Sequence, residues 1–267
     1  MKTLAFSRRQ AFMLLGGAAA ASLLLPTAWA QAPTAEQIVA ATDQVRNPGR
    51  PFRLTVRLTE YIAGRADQRD ELVVFSKVNP GTRQFRNLIE YIEPPRDAGK
   101  KVLLDGTSLW FFDPASSLSV RISPQQRLIG QAAIGDVLTV NLAVDYAPTL
   151  LGSETIEDAD GGNRRCWHLD LRAANDQAVY RLVEYWVEQG SGYPIKAKFY
   201  ADSGRLLKIL YYRLFAQELE AMRPTEAIII DAVDTSLVTT ALFTDYRFVD
   251  IPEAWFQRDY LPRLGTQ

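Results

Sequence analysis

The chain's only cysteine and only histidine lie two residues apart, in Cys166-Trp167-His168. A thiol and an imidazole are the groups that a cysteine nucleophile and its general base would supply. On a strand, however, alternate side chains on one face are about 7 Å apart, which is too far for direct pairing. The pattern therefore favours a structural role, and we expect function to survive substitution of Cys166 and His168 together.

Asp158 and Asp160 stand beside Gly161-Gly162 and could belong to a calcium-binding loop. The remaining acids of a calcium loop are missing, so a solvated hairpin tip is the better interpretation. A single cysteine excludes an internal disulfide framework and any multi-cysteine zinc or iron–sulfur site. A single histidine removes most catalytic schemes that need more than one imidazole. We therefore expect no metal, no cofactor and no enzymatic activity.

The 267 residues are 47% hydrophobic, 10% aromatic and 23% charged, which is typical of a globular protein and excludes a disordered chain. Thirty basic and thirty-one acidic residues give a net charge of -1. This balance lacks the basic excess of a nucleic-acid-binding protein, so no nucleic-acid partner is expected.

Residues 1–30 have the three-part pattern of a signal peptide. Residues 1–9 carry three basic side chains and no acid, and the apolar run Ala11–Leu25 follows. That run is about fifteen residues long, short of the roughly twenty that span a bilayer. Ala28-Trp29-Ala30 then places small residues where a signal peptidase cleaves. We predict cleavage before Gln31 and a soluble periplasmic protein.

The export route stays open between two alternatives. Ser7-Arg8-Arg9-Gln10 resembles a twin-arginine signal, although it also fits an ordinary secretory signal. Cleavage would leave a net charge of -4 on residues 31–267, which argues against docking to anionic lipids by charge alone. No linker-like tract divides these residues, so they are predicted to form a single domain.

The remaining pattern predicts a helix followed by a long antiparallel meander. Ala35–Arg46 has the apolar spacing of a short amphipathic helix, with Thr34 as its N-cap. Short strands at regular spacing then indicate one large antiparallel sheet or an incomplete barrel, in a mainly β (α+β) fold. The predicted strands are Arg53–Tyr61, Glu71–Lys77, Gln84–Ile92, Val102–Leu104, Ser108–Phe112, Thr155–Glu157, Cys166–Arg172, Tyr180–Glu188, Pro194–Ala201, Leu206–Phe215, Ala227–Ile230 and Thr240–Phe248.

Two segments are predicted to cover the sheet. Ser123–Leu151 has a weaker pattern and is expected to be helix or loop that covers it, and Pro252–Leu264 is expected to form a short helix with Trp255 and Phe256 packed down.

Some strands are apolar on both faces. Leu206–Phe215 carries Leu206, Leu210, Tyr212 and Leu214 on one face and Leu207, Ile209, Tyr211 and Phe215 on the other. Such strands need a cover on each side. Protein could supply both covers, or a bound hydrophobic ligand could supply part of one.

One stretch carries a family resemblance. Asp105–Pro114 reads DGTSLWFFDP and resembles the pattern DG-x-x-LW-x-[YF]-[DN]-P of periplasmic lipoprotein carriers, the LolA family. Pro94–Lys100, Arg121-Ile122 and the ending Tyr246–Phe256 are similar to a broader LolA-like group of outer-membrane lipoprotein-sorting proteins. Gly135–Leu138 departs from that group, which usually has a Gly-Ser-Asp-Phe-like stretch there, and this difference concerns the cargo more than the fold.

The resemblance implies an unclosed β-barrel whose open side is covered by helices and whose cavity shields acyl chains. Because each buried methylene is worth about 0.8 kcal/mol, lipid tails need such a shield to cross water. The implied partners are a lipoprotein or lipid cargo, an inner-membrane exporter and, transiently, a membrane, with the carrier acting as a monomer. The alternative is an accessory module that docks on an envelope transporter and carries nothing.

Strand alternation and the motif nominate eight residues for the hydrophobic cavity. Trp110 and Phe112, which share a face, are the first choice. The others depend on strand register, because a shift of one residue would turn them to the opposite face. They are Leu54, Val56, Leu58, Tyr91, Trp186 and Phe199.

Overall fold

The structure is a computed structural model that describes residues 32–106, 108–175 and 178–265. The signal peptide predicted for residues 1–30 lies outside these residues. The first element is helix α1, Ala35–Arg46. The Thr34 hydroxyl accepts the Gln37 amide, and the Gln37 side chain accepts the Thr34 amide at 2.9 Å, which is a capping box. The predicted helix and its N-cap are confirmed.

In the described part of the chain, fifteen strands follow. They are β1 (Phe52–Ile62), β2 (Arg65–Val78), β3 (Phe85–Glu93), β4 (Lys101–Asp105), β5 (Ser108–Asp113), β6 (Leu118–Arg121), β7 (Arg127–Ile129), β8 (Ala132–Ala133), β9 (Tyr146–Glu157), β10 (Asn163–Ala173), β11 (Leu182–Glu188), β12 (Pro194–Tyr200), β13 (Leu206–Glu218), β14 (Ala221–Asp231) and β15 (Leu237–Phe248). Two short helices, α2 (Ile134–Val137) and α3 (Leu142–Asp145), precede β9, and two 3₁₀ helices, Glu253–Phe256 and Arg258–Arg263, follow β15.

Thirteen strands form one antiparallel sheet in the order β6-β5-β4-β3-β2-β1-β15-β14-β13-β12-β11-β10-β9. Neighbours in the sheet are also neighbours along the chain, except at the β1–β15 pair, which joins the two halves. The described strands leave β6 and β9 as edges, so the sheet is not closed into a barrel. The predicted fold class, a large antiparallel sheet with few short helices, is confirmed.

The sheet is apolar on both faces over β2, as expected for strands that need two covers. Leu72 and Val74 belong to a large core cluster with α1, and we call this side the inner face. Val73 and Phe75 point to the outer face and pack with the 3₁₀ helices. Protein therefore covers β2 on both sides.

The C-terminal segment packs down as predicted, but as two 3₁₀ helices. Phe256 is fully buried, and the Trp255 ring stands edge-on to Phe75 with centroids 5.3 Å apart. Pro252 sets the start of the first 3₁₀ helix, and Pro262 lies inside the second, where it lacks the amide that an α-helix would use.

Strand β9 begins earlier than predicted. Residues 146–151, expected to be helix or loop, are extended and pair with β10. Pro148 and a bulge at Leu151 obscure the alternation there. An edge strand tolerates both features, because one side of its backbone is unpaired.

Strand β13 also departs from the predicted pattern at one residue. By alternation Leu214 belongs to the face of Leu210 and Tyr212, but its φ is +51°. The β13–β14 register continues past Leu214, whose carbonyl accepts the Thr225 hydroxyl, and the Leu214 side chain is half exposed.

Candidate functional site

Residues 122–145 cross the inner face, and we call them the cover segment. They contain β7, β8, α2 and α3. Apolar side chains of this segment, including Ile134, Val137 and Leu142, join the same core cluster as α1. The inner face is therefore enclosed by α1 and the cover segment together.

Asn87 of β3 holds the middle of the cover segment. Its Nδ2 donates to the Thr139 carbonyl at 2.9 Å, and its Oδ1 accepts the Thr139 amide at 3.0 Å. The Ser76 hydroxyl donates to the same Oδ1 at 2.8 Å. Because Asn87 is fully buried, these bonds fix the cover segment in register with the sheet.

Asp136 of α2 is a buried carboxylate with several polar partners. Its carboxylate accepts the Ala133 amide at 2.7 Å and the Tyr180 hydroxyl at 2.9 Å. It also forms an ion pair with Lys208 of β13. The Lys208 ammonium lies 5.1 Å from the ring centroid of Tyr180 and 5.6 Å from that of Phe199. A charge buried in this way is stable only with such partners.

Gly135 lets α2 approach Val179, which lies in the connection between β10 and β11. A Cβ at this position would lie 2.3 Å from Cγ1 of Val179, closer than packed carbon atoms can come. The Gly135 amide donates to the Pro124 carbonyl at 2.8 Å. Close packing at α2 therefore depends on glycine.

Polar bonds also hold the two ends of the cover segment. Near α1, the Asp43 carboxylate accepts the Ala143 amide at 2.8 Å, and Asn47 donates to the Val140 carbonyl at 2.8 Å. At the other end, the Gln131 amide donates to the Thr239 hydroxyl at 2.7 Å.

Two small cavities lie between the cover segment and the inner face, of about 50 Å³ and about 90 Å³. Both are lined by Arg46, Asp136 and Tyr212. The apolar lining of the first includes Leu138, Val140, Val183, Ala197, Phe199 and Leu210. Its polar lining adds Asp145, Tyr146, Tyr180 and Tyr185. The site is thus an apolar space with a few buried charges and hydroxyls.

Burial is the largest influence on the pKa values of three groups at this site, Asp43, Asp145 and Tyr146. It raises the pKa of Asp43 to about 6, although Arg46 acts in the opposite direction. It also raises the pKa of Asp145, against a hydrogen bond from Gln84. The pKa of Tyr146 rises to about 12 for the same reason. The two carboxyl groups therefore hold their protons to a higher pH than exposed acids do.

Five of the eight residues nominated from the sequence lie on the inner face. They are Leu54, Val56, Leu58, Tyr91 and Phe199. Phe199 lines the first cavity and Leu54 lines the second. The structure brings these five into one apolar cluster; whether they contact cargo stays a prediction.

Trp110 and Phe112 lie on the outer face, where they pack with the 3₁₀ helices. Phe111, between them, points to the inner face and meets Tyr91 edge-on, with centroids 6.4 Å apart. Trp186 is also on the outer face, in a small cluster with Cys166. Alternation predicts that Trp110 and Phe112 share a face, which the structure confirms, but it cannot say which face is inward.

Cys166 and His168 occupy structural positions. Burial raises the pKa of the Cys166 thiol to about 12, which disfavours a nucleophilic thiolate. The His168 ring stacks on Trp186 with centroids 4.4 Å apart, and its Nδ1 lies 3.1 Å from a carboxylate oxygen of Glu154.

The Asp158 turn also has a structural explanation. Its carboxylate accepts the amides of Asp160 at 3.0 Å and Gly162 at 2.8 Å and pairs with Arg164 at 2.7 Å. Among the described residues, no three histidine, cysteine or acidic side chains gather where they could hold a metal ion. None of the helices in the described ranges is long and apolar enough to cross a membrane.

Arg46, Asp136 and Lys208 were not nominated from the sequence. Two signals could have found Lys208 and Asp136, and none points to Arg46. Lys208 is the only charged residue within the apolar run Leu206–Tyr212. Asp136 belongs to the stretch Gly135–Leu138, where the chain departs from the LolA-like group.

Solved structures of three other proteins have folds similar to that of this chain. A LolA superfamily protein from Nitrosomonas europaea is 34% identical, with a TM-score of 0.76 over 86% of this chain and 100% of that one. A DUF1329 family protein from Desulfovibrio piger is 19% identical, with a TM-score of 0.72 over 85% of this chain and 97% of that one. A domain described as an outer membrane lipoprotein-sorting protein from Vibrio parahaemolyticus is 18% identical, with a TM-score of 0.70 over 86% and 98%.

Sequence comparison adds less. A family model described as "Uncharacterized protein" matches residues 83–263. No curated protein matches the chain.

Proposed function

The chain belongs to the LolA superfamily, and from this premise we propose that it is a periplasmic carrier. In this proposal the space between the inner face and the cover segment shields the acyl chains of a lipoprotein or lipid on the way to the outer membrane. A similar fold in a lipoprotein-sorting domain supports the proposal.

The observation that carries the proposal is the contrast between the interior and the way it is covered. The inner face is a continuous apolar cluster, whereas the cover segment is held by polar bonds from Asn87 and Asp43 and by those of its own Asp136 to Tyr180 and Lys208. A hydrogen bond exchanged for water changes stability by only about 1 kcal/mol. The main costs of moving the cover segment are therefore exposure of its apolar side chains and loss of the Asp136–Lys208 ion pair, and an acyl chain that takes the place of those side chains would offset the first cost.

The two cavities are too small to hold an acyl chain unless the cover segment moves. The cavities have volumes of about 50 and about 90 Å³. A water molecule takes up roughly 30 Å³, so each cavity has room for only about two or three waters. An acyl chain enters only if the cover segment shifts, and the apolar surface then uncovered is what the chain would bury.

The test is native mass spectrometry of the mature protein purified from the periplasm, together with lipid extraction of the same sample. We expect an acylated species at fixed stoichiometry. A protein that is empty and also refuses added lipid would contradict the carrier and support an accessory module that docks on a transporter.

A matched pair of variants makes the test specific for the cavity. Ala197 is fully buried and lines the first cavity, whereas Ala147 on β9 is exposed. Ala197→Val should lower the bound fraction of lipid, and Ala147→Val should leave it unchanged. Thermal unfolding of both variants verifies that they are folded.

We also propose that residues 1–30 direct export and that residues 31–267 are the single mature domain. The intact mass of the periplasmic protein should correspond to cleavage before Gln31. Replacing Arg8 and Arg9 by lysine should abolish export only if the twin-arginine route is used.

The proposed carrier is a monomer that meets an inner-membrane exporter and the membrane transiently. Pro148 and the bulge at Leu151 support this, because both oppose edge-to-edge pairing of β9. Light scattering of the purified protein should give the mass of one chain.

A further inference from the structure

Arg46 is the last residue of α1, and only part of its guanidinium group is hydrogen-bonded within the described part of the protein. Its side chain is 15% exposed and lines both cavities. Among the described residues, the guanidinium has one hydrogen-bond partner, Asp43, at a long 3.4 Å. The Tyr212 ring lies below it, 6.0 Å from Cζ to the centroid. A guanidinium has five N–H donors, so most of them remain for a ligand.

Asp43 is a weak competitor for Arg46. One of its oxygens already accepts the Ala143 amide at 2.8 Å. Burial also raises the pKa of this carboxyl, so its negative charge is costly where it stands.

The other acids facing the cavities have donors of their own. Asp145 accepts the Gln84 side chain at 2.7 Å, and Asp136 is paired with Lys208. Arg46 is therefore the cavity cation with unused hydrogen-bonding capacity. Three tyrosines on the first cavity place further hydroxyls near it. They are Tyr146, Tyr185 and Tyr212.

We propose that the cargo is an acidic amphiphile and that Arg46 binds its carboxylate or phosphate group while the apolar lining takes the chain. This inference rests on the proposed carrier function and adds the charge of the cargo. A planar guanidinium fork suits both anions, because it can donate two parallel hydrogen bonds to two oxygens.

The test compares three probes that share a chain and differ in the head: dodecanoate, dodecyl phosphate and dodecan-1-ol. Each is titrated at pH 7.5 by displacement of a hydrophobic dye, the two acids below their micelle concentrations and the alcohol below its solubility limit. We expect the wild type to bind the two acids about tenfold or more tightly than the alcohol. Arg46→Met should lower affinity for both acids by about tenfold or more and change that for the alcohol by less than about twofold.

Two further variants separate binding from folding. Arg46→Lys keeps the charge but not the fork, and should fall between the wild type and Arg46→Met. Asp43→Asn removes the competitor, retains an oxygen for the Ala143 amide, and should tighten binding of the acids. Melting temperatures identify any variant that is simply unfolded.

The outcomes that overturn the inference differ from those that overturn the carrier. Equal wild-type affinity for the acids and the alcohol, or no selective loss in Arg46→Met, would refute the anion site and leave the carrier standing. Inorganic phosphate bound as tightly as dodecyl phosphate would also refute it, because the chain would then contribute nothing. Failure of all three amphiphiles to bind would refute the carrier as well.

Discussion

Lys208 and Asp136 form an ion pair that joins the centre of the sheet to the cover segment, and both side chains are less than a tenth exposed. Strand β13 supplies the cation and α2 the anion. The pair therefore couples the position of α2, whose Asp136 lines both cavities, to the sheet.

Removing the cation should loosen the cover segment. Lys208→Met leaves the Asp136 carboxylate buried without its counter-charge, a situation that costs about 3–5 kcal/mol. We expect a lower urea midpoint and faster exchange of a bound hydrophobic dye. The double variant Lys208→Met/Asp136→Asn should recover part of the lost stability, because no uncompensated charge remains. Additive losses in the two single variants would show that the residues do not act as a pair.

A methyl group added at Gly135 in α2 should lower the stability of the protein, because Val179 leaves no room for it. Gly135→Ala places a Cβ against Val179, and such overpacking costs about 1–3 kcal/mol. Gly49→Ala is the matched control, since a Cβ there meets nothing within 4 Å. We expect a lower melting temperature for the first variant only. Adding Val179→Ala to Gly135→Ala should restore part of the stability; unchanged melting of Gly135→Ala would contradict the close approach.

Asp43 should make stability depend on pH. Burial raises its pKa to about 6 from the ordinary 3.8, so between about pH 4 and 6 the folded protein holds a proton that the unfolded chain releases. This contribution to the free energy of unfolding therefore falls as pH rises through that window. Asp43→Asn lacks the titration and should gain up to about 3 kcal/mol relative to the wild type between pH 4 and pH 8. Urea unfolding at five pH values measures the difference; parallel curves would rule it out.

Two phenylalanines on opposite faces distinguish the cavity from the outer cluster. Phe199 lines the first cavity, and Phe112 packs on the outer face. Phe199→Leu should weaken binding of dodecan-1-ol by roughly threefold to tenfold, because ring surface is lost from the wall. Phe112→Leu should lower the melting temperature and leave affinity unchanged. The opposite result would favour the site first predicted from the sequence, at Trp110 and Phe112.

The regular part of the fold was predictable because local patterns determine it. Thr34 and the apolar spacing after it predict α1, and the alternation in residues 53–61 predicts β1. Polar strand ends were missed for the same reason. β2 begins at Arg65, not at Glu71, since its first residues are exposed on both faces and Ala63 and Gly64 make a tight turn with positive φ.

The site was only partly predictable. Alternation shows that Trp110 and Phe112 share a face opposite to that of Phe111, but the pattern cannot say which face is inward when both are apolar. Asp136 and Lys208 are separated by 72 residues along the chain. Their meeting depends on how the cover segment crosses the sheet, which no local pattern encodes.

The pairing of β1 with β15 has a consequence for how the protein is made. The second partner of the first strand is the last strand of the sheet, with Thr55 beside Thr244. A nascent chain can assemble each hairpin as it emerges, yet β1 keeps an open edge until the final strand is complete. Closure of this long loop is the entropically slow step of such a topology. Until then the incomplete chain exposes an unpaired strand edge with which another chain could pair.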